Sequence, residues 1–274
     1  MLTPEQVRSQ FPIGAIALYE GGQVATVLRF ASRRDAKSPP RQTRGRINYL
    51  SQQSLNRLNF LVQTTSINLR SMLTLTYLCP PVSGIKAKQD LKKALQWLKR
   101  RCKGELEYVW FAEFTKAGGI HFHILLDCVP SDYDRIEFAV YWLKATQQGR
   151  GFYCDLRRHR EMNVLYSILN SVSHPNTWQP LNSLDGAKRY CGKYATKLHQ
   201  KEVPRWFRDI GRFWGVSKGV KENKLKHEII EVSEDELKEL LREADHPVAS
   251  WDIIPKYLWN ICSIDITRIR PNPE

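Results

Sequence analysis

Two histidines one residue apart, His121 and His123, sit in the run Gly119 to Asp127, and an acid, Glu113, precedes them. Between them, Lys116, Ala117 and Gly118 form the kind of short glycine-containing turn that closes a β-hairpin. Pairing about Ala117 sets Thr115 opposite Gly119 and Glu113 opposite His121. Side chains alternate between the two faces of a strand. Tyr108, Trp110, Ala112, Phe114, Ile120, Phe122, Ile124 and Leu126 therefore share one wholly apolar face, while Glu113, His121 and His123 share the other. Directly opposed Cβ atoms stand roughly 5 Å apart, so two imidazoles and a carboxylate can aim at one point. These are ligand types that hold a divalent cation. His-x-His also arises by chance in a chain with 7 histidines, but the opposed carboxylate and the clean apolar face favour a metal site.

A second group lies further along. Asp185 to Leu198 has a helical pattern, and at 3.6 residues per turn Tyr190, Tyr194 and Lys197 fall on one stripe with Lys193 beside it. A phenol, whose ordinary pKa is near 10, must lose its proton to attack phosphorus, and a neighbouring ammonium can stabilise the phenolate. Tyrosines at this spacing also simply pack, with the hydroxyl at the rim. A third cluster interleaves aromatic and basic residues: Arg205, Trp206, Phe207, Arg208, Arg212, Phe213 and Trp214. It suits base stacking beside phosphate contacts, and equally suits anchoring of the tyrosine helix to a sheet.

The elements that must carry these groups alternate from about residue 71. Met72 to Leu78 reads as a strand and Lys86 to Cys102 as a helix, with Leu91, Ala94, Leu95 and Leu98 at helical spacing. Strands follow over Leu106 to Thr115 and Gly119 to Asp127, then a helix over Tyr133 to Thr146 and a strand near Gly151 to Leu156. That order predicts an α+β fold, an antiparallel sheet with a ferredoxin-like split βαβ core, helices on one face and the metal site on the open face. Before it, Ala15 to Leu28 reads as a small hairpin. Residues 29 to 46 hold seven Lys or Arg against one acid and read as a basic arm that either grips phosphates or is a solvated tether. Ser233 and Glu236 have capping-box spacing at the start of a last helix. The expected division is a basic N-terminal extension (1–70), a catalytic domain (71–216) and a C-terminal helical extension (217–274).

Bulk composition narrows the partner. The 274 residues carry 42 Lys and Arg against 28 Asp and Glu, a net +14, and 42% are hydrophobic, enough to build a core. Such an excess of positive charge favours a polyanion, nucleic acid or anionic lipid. No apolar run is long enough to span a bilayer, no secretion signal opens the chain, and the six cysteines are scattered without zinc-site or disulfide-framework spacing. A cytoplasmic protein is expected.

The run Trp110 to Asp127 (WFAEFTKAGGIHFHILLD) resembles the HUH motif of rolling-circle replication initiators, and Leu73 to Tyr77 resembles the short strand motif that precedes it there. Tyr190 to Lys197 (YCGKYATK) is similar to the third motif of that superfamily in its two-tyrosine form, and the IGRFWG segment is similar to one seen after the tyrosine helix. The resemblance covers roughly residues 71 to 216. It implies a replication initiator of a plasmid or phage that nicks and religates single-stranded origin DNA through a covalent 5′-phosphotyrosine. Tyr194 and Tyr190 would be alternating nucleophiles, Lys193 and Lys197 their supports, and His121, His123 and Glu113 the ligands of Mg2+ or Mn2+. Imidazole ligands lean toward manganese and cellular abundance toward magnesium. The sequence has no helicase P-loop, so a host helicase and polymerase are the expected partners. Competing readings are an HUH transposase or relaxase, a water-using metal hydrolase, and a nucleic-acid-binding module without catalysis.

Overall fold

The computed structural model of the chain describes residues 14–20, 24–30, 47–77, 79–102, 105–147, 178–181, 186, 188, 202–243 and 260–262. In chain order its elements are β1 (Gly14–Tyr19), β2 (Val24–Phe30), α1 (Gln52–Thr64), β3 (Ser71–Leu75), α2 (Gly84–Arg101), β4 (Tyr108–Phe114), β5 (Ile120–Leu126), α3 (Asp132–Ala145), β6 (Trp178–Pro180), β7 (Trp214–Val216), α4 (Lys218–Glu222), β8 (His227–Glu231), α5 (Glu234–Glu243) and β9 (Asn260–Cys262). The chain divides into two units, one of Met1–Arg44, Ser51–Ser66 and Asn223–Glu274, the other of Gly45–Leu50 and Ile67–Glu222. No helix among the described residues is long and apolar enough to cross a membrane.

The second unit is built on a five-stranded antiparallel sheet in the order β6-β3-β5-β4-β7. Its first four strands in sequence, β3, β4, β5 and β6, alternate with α2 and α3 and take the neighbours of the ferredoxin-like split unit. The α+β class expected from the sequence is therefore present, with β7 added beside β4. The fourth strand of the motif is Trp178–Pro180. The stretch near Gly151 to Leu156, expected to supply it, lies outside the described residues.

The hairpin has the register that alternation demands. Glu113 pairs with His121, Ala112 with Phe122 and Trp110 with Ile124, and the Thr115 amide donates to the Gly119 carbonyl at 2.8 Å. Gly118 closes the turn at φ +83°, a left-handed conformation that glycine adopts without penalty. Burial of Ala112, Phe114, Ile120, Phe122, Ile124 and Leu126 makes their face the main core. Helix α2 covers it, since the Lys88 amine stands 4.1 Å from the centre of the Trp110 ring and 5.1 Å from that of Phe122. Ala87, Leu91, Ala94 and Leu98 are the buried stripe of α2, spaced at three and four residues as a helix facing a core requires.

Helix α3 begins at a capping box in which Ser131 and Asp134 satisfy each other's backbone amides. It meets α2 through aromatic contacts: Trp97 lies 5.3 Å from Phe138 and 5.8 Å from Tyr141 between ring centres. Trp142 is fully buried and donates its indole N–H to the Thr76 carbonyl at 2.8 Å, which ties the helix to the end of β3.

The first unit holds the other sheet, in the order β8-β1-β2-β9. β1 and β2 form the hairpin expected over Ala15 to Leu28, and Ala15, Ile16, Ala17 and Leu18 are all buried. Segments read from the sequence as separate N-terminal and C-terminal extensions thus pair in one sheet, with Ala17 opposite Ile229. The Ser66 amide donates to the Asn223 carbonyl at 3.0 Å, so the chain leaves and re-enters this unit at adjacent points. Of the basic stretch 29–46, Arg29 belongs to β2, and residues 31–46 lie outside the described residues. The capping box expected before the last helix is found: the Glu236 amide donates to Ser233 Oγ at 3.2 Å, and the Ser233 amide donates to the Glu236 carboxylate at 2.6 Å.

Lys88 carries a cost within this core. Its buried amine has no hydrogen-bond partner among the described residues, and burial pulls its pKa from the ordinary 10.5 down to about 7. The unfolded chain therefore binds more protons than the folded one between those values, and this residue's contribution to stability rises with pH across that window. The stability advantage of Lys88→Met over the wild type should be largest at pH 7 and below and shrink as pH climbs toward 10.5. Parallel urea unfolding at several pH values measures it, and a difference independent of pH would contradict the assignment of a desolvated amine.

Candidate metal centre

The face of the sheet opposite α2 carries Glu113 on β4 and His121 and His123 on β5. Both imidazoles present Nε2 to the same carboxylate oxygen: Glu113 Oε2 lies 3.1 Å from His121 and 2.9 Å from His123. The two rings are 4.8 Å apart and nearly perpendicular. One ligand atom from each residue falls within 4.8 Å of the others, close enough for a single ion to touch all three. The register expected from the sequence therefore brings its three candidate ligands together.

This face is not bare. Met72, Val109, Phe111 and Leu125 are buried on it, and of the three candidate ligands His121 is the most accessible, with 17% of its side chain exposed. Burial alone would raise the Glu113 carboxyl, but the hydrogen bonds from His121 and His123, with the charge of their protonated rings, outweigh it and bring the pKa down to about 2. The group is a carboxylate at any physiological pH. Its second oxygen, Oε1, is buried with no hydrogen-bond partner among the described residues. A buried anion left half-satisfied is costly, whereas a cation bound by Glu113 and the two Nε2 atoms would neutralise it. The donor set fits a divalent metal.

Two further residues, not singled out as site residues from the sequence, hold His123 in place. Thr74 on β3 pairs with His123 and sets its hydroxyl 3.1 Å from Nδ1. A metal on Nε2 requires the ring proton on Nδ1, and Thr74 Oγ1 is positioned to accept it. On the other side the Phe111 ring lies 5.2 Å from the imidazole at 30°. Thr74 could have been found in the sequence as the polar residue between Leu73 and Leu75, which alternation puts on the histidine face.

The remaining sequence candidates divide. Tyr190, Lys193, Tyr194 and Lys197 lie outside the described residues; of the helix expected over Asp185 to Leu198, Gly186 and Lys188 are helical. In the aromatic and basic cluster, Phe207 and Phe213 are buried and meet Phe114 edge-on at 5.0 and 6.5 Å, so they anchor. Trp214 starts β7 and pairs with Phe111. Trp206 is 47% exposed, and Arg205, Arg208 and Arg212 are exposed around it in sequence.

Residues 70–199 match a family model of replication-associated proteins, the ORF2 type. The match spans just under half of the chain and covers Thr74, all three candidate metal ligands and both tyrosines of the third motif. It supports a replication-associated role and, with it, DNA as the partner of the basic chain. No curated protein and no solved structure matches.

Thr74→Val should preserve the fold and weaken Mn2+ binding by about 10- to 100-fold, the usual cost of removing the partner that orients a ligating histidine. Glu113→Ala should abolish binding. Calorimetric titration with Mn2+ and metal-dependent thermal shifts test both, and wild-type affinity in Thr74→Val would remove its orienting role.

Proposed function

We propose that this chain is a replication initiator of the HUH endonuclease class that nicks and religates single-stranded DNA at a plasmid or phage origin to start rolling-circle replication. The observation that carries the proposal is the convergence of His121, His123 and Glu113 on one point of a sheet face, within a stretch whose family match extends through Tyr190 and Tyr194.

His121, His123 and Glu113 would hold the cation, and three protein donors leave room in an octahedral shell for phosphate oxygens. A bound Mg2+ or Mn2+ supplies Lewis-acid polarisation of the scissile phosphate and offsets its charge. Tyr194 is assigned as first nucleophile. Its phenolic oxygen gives up its proton and bonds to phosphorus, the bond from phosphorus to the 3′ oxygen breaks, and that oxygen leaves as a hydroxyl after taking up a proton. The products are a 5′-phosphotyrosine and a free 3′ end that a host polymerase can extend. Lys193 and Lys197 stabilise the developing phenolate. The covalent link conserves the phosphodiester energy, so Tyr190 as alternating partner, or a returning 3′ hydroxyl, can reverse the step and close a circle. With no P-loop in the sequence, unwinding falls to a host helicase, and the reaction belongs in the cytoplasm of that host.

Incubation of the full chain with labelled single-stranded origin-like DNA and Mn2+ should give a denaturation-resistant protein–DNA adduct. Tyr190→Phe and Tyr194→Phe should each reduce it, and the double variant and His123→Ala should lose it. An adduct that survives the double tyrosine substitution would rule out this chemistry.

A further inference from the structure

A cleft of about 520 Å³ opens at the tip of the β4–β5 hairpin, between Thr115–Gly118 and Glu202–Trp206. That is within the size range of sites that enclose small ligands, roughly 300–1,000 Å³. It adjoins the metal centre. Thr115 and Gly119 stand two residues from Glu113 and His121 on their strands, about 7 Å by strand rise.

Trp206 forms one wall and is held there. A Cβ on Gly118 would lie 2.8 Å from the Trp206 ring, so the indole rests against the backbone of the turn where only glycine admits it. From its other neighbour it meets Phe207 edge-on at 5.9 Å, and the buried Phe207 meets Phe114 of β4 at 5.0 Å. The ring is thus fixed to the sheet that carries the metal ligands, while 47% of the residue stays open to solvent. Apolar packing alone does not account for so large an exposed ring braced so closely. Lys116 and Arg205, both exposed, line the same cleft. Glu202 lines it too, and its carboxylate disfavours phosphate, so the charge that holds a polyanion must come from Lys116 and Arg205.

We propose that this cleft binds one nucleotide of single-stranded DNA flanking the phosphate at the metal centre, the base stacking on Trp206 and the backbone contacting Lys116 and Arg205. The proposal rests on the nicking reading for its choice of strand, and deepens it by naming how the strand is gripped beside the reacting phosphate. A duplex keeps its bases stacked on each other and offers no free face to the indole, whereas an unpaired base does. Stacking of this kind is indifferent to base identity, so the cleft contributes grip and register while sequence is read elsewhere.

The test is fluorescence anisotropy of a labelled oligothymidylate with the full chain in EDTA, beside a blunt duplex. Loss of one base–aromatic stack weakens binding by about 5- to 150-fold, and this is the expected effect of Trp206→Ala on the single strand with the duplex affinity unchanged. Trp206→Phe, which keeps an aromatic face, should retain most of the affinity. Trp206→Leu, which keeps the packing against Gly118 and Phe207, should lose it. Arg205→Ala should lower the slope of log affinity against log salt by about one phosphate's worth, roughly 0.7 for a single strand, and Trp206→Leu should leave that slope intact. Equal binding by the Leu and Phe variants, or an equal loss on duplex, would overturn the stacking role. The adduct assay separates the two ideas. Wild type that forms no adduct but depends on Trp206 for single-strand binding defeats the nicking reading alone, whereas adduct formation with binding indifferent to Trp206 defeats the cleft alone.

Discussion

The pairing register of one hairpin governs the second unit. Because side chains on a strand repeat every two residues, sliding β4 past β5 by one position would turn Glu113 toward the helices and leave Phe122 and Ile124 opposed to the wrong face. The tight turn at Lys116–Gly118 removes that freedom, with Gly118 supplying the one left-handed conformation the turn needs and the Gly119 amide donating to Thr115 Oγ1 at 3.0 Å. Burial of the apolar face under α2 and exposure of three polar donors to a common point are the two outcomes of that single choice. Neither can be changed without the other.

The polar side of this arrangement is built from three adjacent strands. β3 contributes Thr74, β4 contributes Glu113 and the Phe111 ring, and β5 contributes both histidines. Groups fixed on hydrogen-bonded strands move less than groups on loops, and a site that must hold a small ion at defined distances benefits from that rigidity. The cost is a buried carboxylate that two imidazoles satisfy through one oxygen only. A fold gains nothing in stability by keeping such a half-satisfied anion, which is why its presence speaks for ligand binding more than for packing.

What the sequence revealed follows from the range of the signals. Hairpin and helix periodicities are local, so the strands around Glu113 and His121, the stripe Ala87, Leu91, Ala94 and Leu98, and the cap at Ser233 could all be read from neighbours in the chain. Two edge strands could not. Trp178–Pro180 and Trp214–Val216 are three residues each, too short to show alternation, and Pro180 is tolerated because β6 lies at the rim of the sheet. Composition could not tell which aromatics after residue 204 anchor and which stand free, because Trp206 and Phe207 differ in burial only through the direction each takes from the chain. The pairing of β1 with β8 had no local mark at all.

That last pairing bears on how the molecule is made. β1 and β2 can meet as soon as both leave the ribosome, but β8 completes the sheet from beyond the segment 67–222, and an open edge on β1 has unpaired backbone groups that invite other chains. Closing so long a loop is entropically slow while the intervening chain is unfolded. Once the inner segment has folded, its two attachment points, Ser66 and Asn223, are already hydrogen-bonded neighbours, and the closure shrinks to a short local step. The order of synthesis thus favours an inner unit that folds on its own and then draws the outer sheet shut.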